Sequence, residues 1–272
     1  MPAEDFHVRP AAQTPRTSIS GRVTDPSSGN TPLAGVVVHV TGHDSGYSSD
    51  YTAVTNGTGT YVIPNVLPGT YAKVVASKDG YELSTKAVNT RKASDGSFTL
   101  RRDWAAASGG ADVVGFNGPD YSSFSCGPRG AIDLSQGSGW GSTTGDDNGT
   151  PTNVFVPKYV TVDLGATVDV SSFAVDPSST CGDPGSSATG AYRIDTSVDG
   201  TTWTTATMGT FTATDRGRYN QVPVAASGVR FVKLWILGSQ VPSFATSCPS
   251  GGFGGCTYSD LTELQVFGSP AA

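Results

Sequence analysis

The stretch YRIDTSVDGTTWTTA, residues 192–206, decides the fold class of this 272-residue chain. Polar and apolar residues alternate on both sides of Asp199-Gly200, a dipeptide suited to a tight two-residue turn, so the segment reads as a β-hairpin. Working outward, YVTVDLGATVDVSSFAVD (159–176) alternates in the same way. GVRFVKLWIL (228–237) is apolar on both sides, the pattern of a strand buried on both faces in the middle of a packed sandwich. Trp140, Trp203 and Trp235 sit on these strand-like patterns and are expected in the core. No window keeps apolar residues at i, i+3, i+4 and i+7 over three turns, and 35 glycines and 17 prolines supply turns throughout. The expectation is an all-β protein.

The length suits two modest domains, each with its own core. Residues 18–102 carry one alternating pattern and 112–270 another. Residues 1–17 read as a leader, and DWAAASGGA (103–111), short and rich in small residues, reads as the linker between domains. The first block is punctuated by Asp25-Pro26, Asn56-Gly57, Pro68-Gly69 and Asp79-Gly80, and is expected to be a small antiparallel β-sandwich. In HVTGH, His39 and His43 would lie on the same face of a strand about 13 Å apart, which argues against a shared metal.

The formal net charge of −6 sets nucleic acid aside as a partner. No run of 18 apolar residues exists to span a membrane. MPAEDFHVRPAAQTPRT lacks the apolar region of a signal peptide, so the chain reads as a mature fragment or a piece of something longer. Cys126, Cys181, Cys248 and Cys256 fall in Gly-, Ser- and Pro-rich stretches without a CxxC pair, and no histidine follows His43. Disulfides therefore fit better than zinc. Of three connectivities, Cys126 with Cys181 and Cys248 with Cys256 is preferred, because the latter closes the short loop CPSGGFGGC and the former ties two long loops together. Loop closure makes the longer bridge worth roughly 4 kcal/mol and the shorter about 2 to 3 kcal/mol. Such bridges call for an oxidising, extracellular setting.

Two resemblances follow from these residues. GRVTD, PLAGVVVHV and GTGTYVIPNVLPGTYAKVVASKDGY resemble the carboxypeptidase regulatory-like, transthyretin-type β-sandwich. GAIDLSQGSGWGS, YVTVDLG, YRIDTSVDGTTW, VRFVKLWI and LTELQVFG, in that order, resemble the discoidin, or coagulation-factor C-type, jelly roll, which includes many carbohydrate-binding modules. The second resemblance implies a structural calcium ion held by Asp133, a main-chain carbonyl near Ser135, Ser138 and Glu263; hard oxygens on a Gly-Ser loop suit that ion. It also departs from the family, whose usual glycine after the aspartate is Leu134 here. A simpler arrangement remains open, in which Asp133 caps its own loop and Glu263 faces solvent. GPDYSSFSCGPRGAIDLSQGSGWGS, FAVDPSSTCGD and VPSFATSCPSGGFGGCTYSDLTELQVFG further resemble the C-terminal region of secreted fungalysin-type zinc metallopeptidases of actinobacteria, whose proteolytic domain is implied to precede such modules.

For catalysis the sequence offers no HExxH, GxSxG, P-loop or GxGxxG. Asp146-Asp147 are adjacent in a Gly-rich loop, where side chains diverge. Binding is better supported. Tyr121, Phe124, Tyr219, Phe244 and Phe253 stand in loops where no core pattern demands them, with Arg216, Arg218 and Asn220 to supply polar contacts. Each aromatic residue has the alternative of packing over its own disulfide. The reading is a secreted, non-catalytic accessory region that binds polysaccharide or a matrix protein and tethers a parent peptidase; the alternative is an assembly domain that contacts another part of the parent or another protein.

Overall fold

A computed structural model describes residues 15–92, 95–150, 154–248 and 254–271. It is all-β and divides into two compact units, Met1–Lys78 with Glu82–Arg101, and Asp79–Tyr81 with Arg102–Ala272. Residues 1–14 of the expected leader, and Phe253, lie outside the described residues.

The first unit holds strands β1 (Thr17–Asp25), β2 (Thr31–Pro32), β3 (Val37–His43), β4 (Tyr51–Val54), β5 (Thr60–Val66), β6 (Thr70–Ser77), β7 (Ser84–Asn89) and β8 (Phe98–Thr99). They form two sheets, β2-β1-β5 with β8 parallel to β1, and β4-β3-β6-β7. Alternation buries Ile19, Val23, Tyr61 and Ile63 from one sheet and Val38, Val40, Tyr71 and Val74 from the other. The two histidines do not share a face. Gly42 takes a φ of +75°, and His43 turns inward against the Tyr71 ring at 4.9 Å, while His39 stays outside, 2.7 Å from Asp50.

In the second unit lie β9 (Asp112–Phe116), β10 (Trp140–Thr143), β11 (Lys158–Asp176), β12 (Ala191–Ser197), β13 (Thr204–Thr210), β14 (Asn220–Ile236), β15 (Tyr258–Leu261) and β16 (Glu263–Pro270). The long strands β11 and β14 pair along their length, but their register breaks between Asp163 and Val168. Gly165 and Gly228 mark that break with φ of +69° and +67°. Bulges of this kind let a strand pass from one layer to another. Before the break β11 is flanked by β9 and β14 by β12, which in turn pairs with β13; beyond it β11 pairs with β16. Val162, Ile194, Val232 and Leu234 from one layer join Phe173, Val175, Leu264 and Val266 from the other in a single core, with Trp140 fully buried among them.

Two expectations are corrected here. The stretch 103–111 is no linker. The Trp104 side chain belongs to the core of the second unit, its amide donates to Val266 O at 2.8 Å, and its indole N–H donates to Gly268 O at 3.2 Å. Small residues at 105, 106 and 111 permit close packing as readily as flexibility, and all three are buried. Trp203 and Trp235 are not core either; both are half-buried. Lys233 lies 4.0 Å from the centroid of Trp203 and Arg193 lies 5.1 Å from that of Trp235, so cationic side chains cover these rings where core neighbours were expected.

Candidate functional site

The loops that follow Asp176, lead into Asn220 and precede Glu263 gather at one end of the second unit, because Val175 pairs with Asn220 and Asp176 with Glu263 in the strand register. The 3-10 turn Pro128–Ile132 delivers Asp133 to this end. Asp133 accepts from the Ser135 amide at 3.0 Å and the Ser138 hydroxyl at 2.6 Å. Glu263 accepts from the same Ser135 amide at 3.2 Å. All four residues expected around a calcium ion are thus brought together. Leu134 takes a φ of +64°, the conformation that a glycine at this position would adopt without strain.

Asp133 does cap its own loop, but Glu263 does not face solvent: it is 0 % exposed, and its Oε1 has no hydrogen-bond partner among the described residues. Burial, followed by the neighbouring carboxylates Asp103 and Asp133, pushes its pKa up to about 10. A buried carboxyl with an open lone pair beside a second carboxylate, a hydroxyl and a Gly-Ser backbone is a hard-oxygen set that suits calcium. Among the described residues no three His, Cys, Asp or Glu side chains cluster to hold a metal. Main-chain carbonyls and hydroxyls would therefore supply most of the coordination.

On the same unit the disulfide Cys126–Cys181 lines a recess with Tyr121, Phe124, Gly141, Asp183 and Tyr258. The Tyr121 ring stands edge-to-face with both Phe124 and Tyr258, each pair at 6.4 Å. Phe124 is 74 % exposed, far more than a residue folded over its disulfide as a mini-core. The second bridge joins Cys248 to Cys256, so both pairings read from the loops are formed. Tyr258 is a lining residue that sequence reasoning missed. It follows the loop cysteine Cys256 much as Tyr121 precedes Cys126, and that symmetry was the available signal.

The other candidates serve the fold around them. Phe244 packs edge-on against Phe155 at 5.5 Å. Arg216 donates to Gln240 at 2.7 Å and Arg218 to Asp215 at 3.1 Å. The Asn220 amide is spent on the carbonyls of Val175, Asp215 and Arg218. Tyr219 is half-buried between them.

The sequence profile of the carboxypeptidase regulatory-like domain matches residues 18–101, and that of the F5/8 type C domain matches residues 117–248. The chain joins one domain of each family. Solved structures similar to it each cover about 60% of the chain. The C-terminal domain of a chitobiase from Bacteroides fragilis is 20% identical over 60% of this chain and 95% of its own, with a TM-score of 0.43. A family 32 carbohydrate-binding module from a family 31 glycoside hydrolase of Clostridium perfringens is 15% identical over 58% and 91%, with a TM-score of 0.44. Another family 32 module from C. perfringens, solved in complex with galactose, is 19% identical over 58% and 91%, with a TM-score of 0.38. No curated protein matches the sequence. No helix among the described residues of either domain is long and apolar enough to cross a membrane.

Proposed function

We propose that the F5/8 type C domain is a carbohydrate-binding module and that the pair of domains is a secreted, non-catalytic accessory region. It tethers a parent extracellular metallopeptidase to polysaccharide or to a glycan-bearing matrix protein, raising local concentration without chemistry of its own. The observation that carries this reading is the exposed ring of Phe124 beside Tyr121 and Tyr258 over a disulfide floor. Rigid aromatic faces bind sugar rings at low cost in side-chain entropy, and a disulfide holds their loops in place before the ligand arrives. Asp133, Ser138, Glu263 and a carbonyl near Ser135 hold calcium in this reading, fixing the first loop to the last strand.

Retention on insoluble polysaccharides and on matrix proteins, with calcium and with chelator, tests the proposal. Binding to a polysaccharide that is lost in Tyr258→Ala or Tyr121→Ala, with the fold intact, is the expected result. Retention on no surface, or retention indifferent to both substitutions, would sink it in favour of an assembly domain.

A further inference from the structure

An antiparallel sheet that faces water alternates polar residues outward, yet the outward face of the sheet joining β11, β14, β12 and β13 is aromatic. The strand register places Tyr159 beside Trp235 and Trp235 beside Arg193. The Tyr159 and Trp235 ring centroids are 4.8 Å apart, and both residues are half-buried. Trp203, from the turn between β12 and β13, leans onto the same face, where Lys233 Nζ lies 4.0 Å from its centroid and 5.0 Å from that of Tyr159. At the edge of the sheet Met208, paired with Arg193 in the register, is 66 % exposed. Aromatic residues, Met and Arg are the side chains that protein–protein interfaces gather.

Charge identifies the occupant. Arg193 is paired with Asp195 at 2.9 Å and Arg230 with Asp163 at 3.0 Å. The Asp195 carboxylate also accepts from the Trp235 indole at 2.9 Å and the Thr205 hydroxyl at 2.7 Å, so it is fully engaged. Lys233 differs: three aromatic rings surround its ammonium group, and no carboxylate or carbonyl among the described residues accepts from it. Ring faces attract a cation through their quadrupoles but offer its N–H donors no lone pair. A second copy of this chain, docked by the same face about a two-fold axis centred on it, would set Lys233 against Lys233 with no free carboxylate between them. A polyanion is held by many free cations, and this face offers one. We infer that the face docks a folded partner protein, which seats a single Asp or Glu side chain on Lys233 within a rim of apolar side chains. The surface shares no residue with the aromatic recess, and the inference does not depend on carbohydrate binding there.

The test uses the intact chain and blocked pentapeptides in which leucines flank a central glutamate, glutamine or lysine, followed through the indole N–H resonances of Trp203 and Trp235. The glutamate peptide is expected to shift both resonances and to bind about tenfold more tightly than the glutamine peptide, the worth of one charge-assisted hydrogen bond. The lysine peptide should bind most weakly. Lys233→Met should erase the difference between glutamate and glutamine, Lys233→Arg should keep it, and Tyr258→Ala, in the recess, should leave every titration unchanged. No shift with any peptide, a glutamate preference that survives Lys233→Met, or one that is lost in Lys233→Arg overturns the inference. Tighter binding of a heparin tetrasaccharide at the same resonances overturns it in favour of a polyanion. Shifts of those resonances on concentrating the protein alone overturn it in favour of a second copy.

Discussion

Two stretches of the second unit bury charge and treat it in opposite ways. In the loop 144–150 the cation is part of the chain: the Lys158 side chain is 0 % exposed, and its ammonium group donates to Gly145 O at 2.6 Å and reaches Asp147 at 3.4 Å. Asp146 completes the loop by accepting the amides of Asn148 and Thr150. The segment 258–263, by contrast, contains two buried acids, Asp260 and Glu263, each with an oxygen lacking any partner among the described residues. The first loop closes itself, with the lysine standing where a bound cation would stand. The second leaves acids uncompensated, an arrangement that favours cations supplied from outside. The difference supports the proposed assignment of Glu263 to calcium, because isolated buried carboxyls are otherwise a stability cost that selection removes.

The largest expected effect is a pH dependence that belongs to the second stretch alone. The folded-state pKa of Asp260, pushed by burial up to about 8, lies above its ordinary value of 3.8, so its contribution to stability is fully present below about pH 4 and is lost as pH rises through about 8. Since a tenfold difference in proton affinity between the folded and unfolded chains is worth about 1.4 kcal/mol, the melting temperature of the second domain should fall by several degrees between pH 5 and pH 9. Glu263, whose pKa is pushed up to about 10, acts in the same direction, so Asp260→Asn should make the profile shallower and the double variant Asp260→Asn, Glu263→Gln should flatten it; an equally steep fall in the double variant would mean that the buried acids are not its source. Lys158→Ala comes next, because it empties the space of a buried side chain and orphans Gly145 O, at a cost of about 3 kcal/mol. Chemical denaturation with and without calcium should give the same loss in both conditions. A loss confined to one of them would erase the distinction between self-supplied and external cations.

A smaller effect, of about 1 to 2 kcal/mol, is expected for Glu263→Gln, and its sign should depend on the medium. In chelator the amide removes an uncompensated buried acid and should raise the melting temperature. In calcium it should lower the melting temperature by taking a ligand from the ion. A variant that is destabilised equally in both media would mean that Glu263 is a structural residue without an ion.

How much of this was legible in the sequence follows from what each signal measures. Alternation about Asp199-Gly200 and the turn dipeptides identify strands because side-chain direction is a local property. The disulfide pairing was readable from loop lengths. Alternation does not say which face of a strand is outside when both are apolar, and so Trp203 and Trp235 were placed in the core, although Lys233 and Arg193 cover them from solvent. Small residues mark linkers and tight packing alike; only the indole of Trp104 argued for packing. Lys233 and Asp260 carried no signal at all, because the absence of a partner exists only once the chain has folded. The calcium quartet came from family resemblance, with its one departure at Leu134.

That departure sets the smallest prediction. At a φ of +64° a leucine carries strain of roughly 1 to 2 kcal/mol relative to glycine, so Leu134→Gly relieves it. The same change removes a half-buried side chain and adds backbone freedom to the unfolded chain, each costing about 1 kcal/mol. These contributions nearly cancel, and the melting temperature should move by no more than about 1 °C, under the roughly 2 to 4 °C that a full kcal/mol produces in a domain of this size. Calcium affinity is the more sensitive readout, because relief of strain acts on the loop that carries Asp133 and Ser138. Unchanged stability with tighter calcium binding would mean that leucine is tolerated at the expense of the ion site. A large loss of stability with unchanged affinity would mean that the Leu134 side chain anchors the loop by packing, and that the strain is held by the core and not by the ion.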